Sequence, residues 1–175
     1  MSEKNPFTWE DLLRAGFSVR NGILHRESGL CAMEELVIPS GVIGIDSGCF
    51  RGSPALRSVT LPETLTELGA SAFEDCAALE EILIPSGITR LRKKTFSGCR
   101  ALRRITLPTS VTSIGEWAFR GCTALGSLYI PISTTSIGKT VAETKTVIMS
   151  FPGATARKYA RRWRNWTPPC WTPKT

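Results

Sequence analysis

The residues best suited to bond-making chemistry in this chain are one histidine, six cysteines and a few paired carboxylates. His25 stands alone, and acid–base or nucleophilic catalysis needs a base with a positioned partner; no such constellation is visible in the sequence. Cys76, Cys99 and Cys122 fall 23 residues apart. A line of thiols at one repeated position suits buried free cysteines better than a tetrahedral metal site or a set of pairwise disulfides. Cys31 and Cys170 lie outside this column and are expected nearer the surface. Glu34-Glu35 and Glu80-Glu81 resemble acid pairs, but Arg57-Ser58 and Arg103-Arg104 lie between and after them at the same 23-residue interval. Gly41-Val42-Ile43-Gly44 is the nearest approach to a phosphate loop, and its glycines fall where turns are needed. No catalytic residue, cofactor or metal site is expected.

What must position these residues is a repeat. Pro39, Pro62, Pro85, Pro108 and Pro131 are spaced by 23 residues, and their surroundings repeat with them. Leu56-Arg57-Ser58-Val59-Thr60-Leu61-Pro62 matches Leu79-Glu80-Glu81-Ile82-Leu83-Ile84-Pro85 and Leu102-Arg103-Arg104-Ile105-Thr106-Leu107-Pro108. Alternating apolar residues ahead of each proline predict a short strand with one face inward. A second apolar pair follows (Leu65 and Leu68, Ile88 and Leu91, Val111 and Ile114). Then comes a small residue with a phenylalanine: Cys49-Phe50, Ala72-Phe73, Thr95-Phe96 and Ala118-Phe119. One such unit cannot bury these side chains alone, whereas stacked units bury them against one another. The fifth unit has Ala142 at the phenylalanine position.

The frame L-x-x-I-x-I-P-x-x-V-T-x-I-G-x-x-A-F-x-G-C, carried most fully by Val111 to Cys122, resembles the BspA-type leucine-rich repeat of bacterial and some protist surface proteins. The resemblance runs over about residues 17 to 166. It implies an α/β leucine-rich-repeat solenoid: parallel strands stacked in five rungs, short helical turns near the phenylalanines, and capped ends. It also implies adhesion, the binding of host or cell-surface proteins. The matching motif residues are structural, so no binding residue is carried over.

The organisation expected is an N-terminal cap (1–32), five repeats (33–145), a C-terminal strand and basic capping helix (146–166), and a proline-rich tail (167–175). Thr8 with Asp11 reads as a helix cap, and Asn21-Gly22 between two apolar runs reads as a hairpin turn. Before position 150, 16 Lys and Arg oppose all 15 acidic residues; the six basic residues after it supply +6 of the net +7. No apolar run is long enough to span a membrane, and Met1 to Pro6 has no apolar signal core. On sequence alone this points to a cytoplasmic location, whereas the resemblance implies the cell surface or secretion.

Stacked in register, Glu34-Glu35, Arg57-Ser58, Glu80-Glu81 and Arg103-Arg104 place opposite charges on neighbouring rungs. The partner-binding face expected is this strand face, with Glu80, Glu81, Leu83, Arg103, Arg104, Thr106 and Tyr129 as its contacts. The alternative is a polyanion site for nucleic acid, glycan or anionic lipid. It would use Arg90, Arg92, Lys93 and Lys94 of the third repeat with Arg157, Arg161, Arg162 and Arg164 of the C-terminal helix. A column of Thr66, Thr89, Thr112 and Thr135 suits β structure.

Overall fold

The computed structural model describes residues 9–139 and 141–142, and the backbone of 147–150. The chain opens with helix α1 (Trp9–Arg14), which ends where Gly16, at φ +82°, closes its last turn by donating to the Leu13 carbonyl. Strands β1 (Phe17–Arg20) and β2 (Ile23–Arg26) follow as an antiparallel hairpin. Asn21 and Gly22 both have positive φ, the backbone that a tight two-residue turn requires.

Each rung then makes two short strands and a run of turns. Its first strand is β3 (Glu35–Val37), β5 (Ser58–Thr60), β7 (Glu81–Leu83), β9 (Arg104–Thr106) or β11 (Ser127–Ile130), in chain order. The proline after each strand starts a turn, its carbonyl accepting from the amide three residues on, as in Leu65 to Pro62 at 3.0 Å and Val111 to Pro108 at 3.1 Å. The second strands are β4 (Gly44–Ile45), β6 (Glu67–Leu68), β8 (Arg90–Leu91), β10 (Ser113–Ile114) and β12 (Ser136–Ile137).

Like strands stack in parallel. One sheet runs β3-β5-β7-β9; β11 packs beside β9 and pairs with β13 (Val147–Ser150). The other side is built from β2-β4-β6 and β8-β10-β12, so the hairpin is continuous with the first rungs. Between successive repeats the register is 23 residues, as in Glu35 to Ser58 and Glu81 to Arg104, whereas the hairpin joins β4 at an offset of 21 and β13 joins β11 at 20. The apolar residues of all rungs merge into one core.

The third side differs from the helical turns expected. Alternate amides bond within the rung and between rungs. Ser71, Phe73 and Asp75 donate to Lys93, Thr95 and Ser97 of the next rung, while Ala72, Glu74 and Cys76 donate three residues back. This alternation needs left-handed backbone at fixed points, and Ser71, Asp75, Lys94 and Trp117 supply it with φ between 57° and 60°. A helix would direct every amide along its own axis and leave the rungs unjoined on this side. Inside it, Phe50, Phe73, Phe96 and Phe119 stack at 5.1, 5.5 and 5.6 Å between ring centroids, and Phe17 of the hairpin closes the first end at 5.1 Å.

Candidate binding face

The outward positions of the first-strand sheet carry the residues singled out from sequence. Their charges form a ladder. Glu34 lies 3.8 Å from Arg57, Arg57 lies 3.2 Å from Glu80, and Arg103 lies 3.9 Å from Glu80. All four are substantially exposed, so each pair contributes about 0–1 kcal/mol and the ladder serves register more than stability. Gly126 ends it on the fifth rung. In the next column Glu81 faces Arg104 in register, but the two make no ion pair among the described residues.

Two residues further along each strand lies a column of Val37, Thr60, Leu83, Thr106 and Tyr129. Leu83 is 62% and Tyr129 59% exposed, with Val37 exposed in the same column. Between the charged and apolar columns runs an open groove of about 390 Å³, lined by Ser58, Thr60, Glu81, Leu83, Arg104 and Thr106. The structure therefore brings Glu80, Glu81, Leu83, Arg103, Arg104 and Thr106 together, with Tyr129 one rung beyond. What this arrangement offers is an open surface with a shallow groove, apolar points and mixed charge.

The basic residues of the third repeat are less available than their sequence suggests. Lys94 donates to Glu74 at 2.8 Å, and Lys93 pairs with Glu116 at 3.7 Å. Lys93, Lys94 and Arg120 also surround the Trp117 ring, at 4.6, 5.7 and 5.5 Å from its centre. Arg90 and Arg92 make no ion pair among the described residues. Arg157, Arg161, Arg162 and Arg164, their helix and the tail with Cys170 lie outside the described residues.

Glu74 was not evident from sequence. Its carboxylate is 7% exposed and takes Arg51 at 3.2 Å as well as Lys94. Burial pushes its pKa up, but hydrogen bonds from Lys94 and Ser71 and the charge of Arg51 outweigh this and hold it below the usual glutamate value. The partners sit 20 and 23 residues away, so only Arg51 follows the repeat interval.

Cys76, Cys99 and Cys122 are free and buried. Each thiol lies 3.0–3.1 Å from the carbonyl of the preceding rung's phenylalanine. Burial pushes the Cys49 and Cys76 thiols up to about 12 and Cys99 well above its ordinary value. Cys31, expected nearer the surface, is buried as well, because it packs into the common core. Among the described residues no group of three or more His, Cys, Asp or Glu is placed to hold a metal.

His25 does have a partner: its Nδ1 lies 2.9 Å from Asp46, which ties hairpin to first rung and holds the Asp46 carboxyl below its usual range. The threonine column is used internally. Thr66, Thr112 and Thr135 donate to carbonyls one rung back at 3.0–3.4 Å, and Thr64, Ser110 and Ser133 do the same from a neighbouring column at 2.8–3.0 Å. Hydroxyls at a 23-residue interval were the available sign of this stitching.

A sequence model of the BspA-type leucine-rich repeat region matches residues 28–146 in six copies, against the five rungs counted from the prolines. No curated protein matches the chain. Among solved structures it is similar to a leucine-rich repeat protein of T. pallidum (26% identity, TM-score 0.69, 76% of this chain and 67% of that one). It is also similar to a leucine-rich cell surface protein of Faecalibacterium prausnitzii (27% identity, TM-score 0.71, 81% of this chain). A third is a leucine-rich repeat protein of Bacteroides ovatus (29% identity, TM-score 0.69, 78% of this chain). The chain spans 39% of the length of each of the latter two. With the rung geometry and a match over most of its length, the chain belongs to the BspA-type leucine-rich repeat family.

Proposed function

We propose that this protein is a non-enzymatic recognition module that binds a protein partner through its first-strand face, in an adhesion-type role at the cell surface or outside the cell. The observation that carries this reading is the exposure of Leu83 and Tyr129 on a regular, in-register sheet beside an open groove. Apolar and aromatic points ringed by mixed charge are where protein interfaces concentrate their binding energy. The cell-surface description of the F. prausnitzii neighbour supports the location. The test is binding of the full chain to a panel of extracellular-matrix glycoproteins, compared with a variant carrying Glu80→Ser, Glu81→Ser and Leu83→Ser. The variant should keep the wild-type circular dichroism and lose about tenfold or more in affinity, the scale of one hot-spot residue. Unchanged affinity would remove the strand face from consideration.

A second reading is favoured by Arg90 and Arg92, which carry no ion pair among the described residues, and by the basic residues after position 150. It makes the chain a polyanion-binding module. Affinity for a sulfated glycan or single-stranded nucleic acid should then fall steeply with salt, as counterions are displaced from the polyanion. A flat salt dependence rejects it.

A further inference from the structure

We propose that the occupant of the first-strand face is a second copy of this chain, docked face to face with its rungs in the reverse order. The inference rests on the strand-face reading above and names its partner.

The argument is one of charge order. Along the solenoid the outer column reads Glu34, Arg57, Glu80, Arg103, and then the uncharged Gly126. The run is four long, so its two ends carry opposite signs. Reversed, it becomes its own complement. A two-fold axis parallel to the strands, passing between the Arg57 and Glu80 rungs, sets Glu34 against Arg103 of the second copy and Arg57 against its Glu80. Spacing matches without adjustment, because both copies have the same rung height of about 4.8 Å. Closed two-fold pairs are the commonest way for a chain to bind itself, and they require a self-complementary patch of this kind.

The adjacent columns agree. The same axis places Glu35 against Arg104 and Ser58 against Glu81, with no like charges opposed. In the outermost column, Leu83 of each copy meets Thr60 of the other, at the groove that Thr60 and Leu83 line. Docking with the rungs in the same order would oppose like charges at all four positions and is disfavoured. The face is only five short strands wide. Its contact falls at the small end of protein interfaces, below about 1,200 Å² in total, where association is weak and transient. Many copies on one surface would then act together through multivalency.

The test is equilibrium sedimentation of the full chain from about 5 to about 500 µM, a range that brackets weak association. Wild type should shift from monomer toward dimer across this range. Arg57→Glu alone opposes like charges at two positions of the pair and should stay monomeric. Glu80→Arg does the same with the opposite sign and should also stay monomeric. An equimolar mixture of the two variants restores opposite charges at all four positions and should form a heterodimer, which neither variant could do if it had merely unfolded. A wild-type chain that is monomeric at the highest concentration overturns the proposal. So do single variants that dimerise as wild type does, or a mixture that stays monomeric. The matrix-glycoprotein assay separates this from the broader reading. A monomeric wild type whose serine variant loses matrix binding leaves the face intact as a site and removes only the second copy as its occupant.

Discussion

Residue 75 has the left-handed backbone that glycine holds at the same place in three other rungs. Asp75 has φ 60°, while Gly52, Gly98 and Gly121 have 70°, 78° and 79°. The conformation crowds a Cβ against the following carbonyl at about 1–2 kcal/mol for an ordinary residue, and aspartate is among the more tolerant. Asp75 is exposed and makes no ion pair among the described residues. Asp75→Gly should therefore raise stability by about 0.5–1 kcal/mol in denaturant unfolding, although it removes a side chain. Close approach of rungs gives the opposite sign at Gly115, where an added Cβ would sit 2.6 Å from the backbone of Arg92 and Lys93.

Glu74 sets an acid limit. Its folded pKa lies below the ordinary 4.5. The stability it contributes is therefore present above about 4.5 and is lost as pH falls through the lower folded value. Urea midpoints measured downward from pH 6 should fall below pH 4.5. Glu74→Gln should start from a lower midpoint, because two cations lose their counter-charge, and should decline less steeply. A parallel decline in the two proteins would show that other carboxylates, such as Asp46 and Glu27, govern the acid limb.

At the scale of the element, the third side of the rungs behaves as a sealed column. The phenylalanines stack nearly parallel after the first, and the thiols beside them point to carbonyls rather than to one another. With Cys170 replaced by serine, the native protein should give almost no reaction with a thiol reagent at pH 8. The five remaining cysteines should all react once it is unfolded, because buried thiols with raised pKa values hold little thiolate. Fast native labelling of more than one thiol would mean that rungs open locally.

How legible these elements were depended on whether their cause repeats at 23 residues. The strands, the proline corners and the charge ladder do so, and sequence placed Glu80, Arg103 and Leu83 on one face. One left-handed column shows itself through Gly52, Gly98 and Gly121, but the other does not, since Ser71, Lys94 and Trp117 share no side-chain character. The expectation of helical turns therefore misses the alternate amides that join the rungs. The Glu74–Lys94 pair escapes for a related reason. It crosses between neighbouring columns, so stacking one repeat on the next does not bring it into view. Lys94 is less available than its sequence suggests on that account, whereas Lys93 pairs with Glu116 at the 23-residue interval.

For the whole molecule, the feature with the widest consequence is the four-charge ladder, because repeat arrays gain and lose whole rungs. Attraction between neighbouring rungs asks only that signs alternate, and an added rung of the right sign satisfies it. Recognition of a reversed copy asks something further, which is parity. An alternating run of five reads the same from either end, so two such chains would meet like with like at every rung. A run of six would again fit itself. Gain of one such alternating rung and gain of two would then have different outcomes, and rung number, ordinarily a measure of length, would decide whether a chain accepts its own kind.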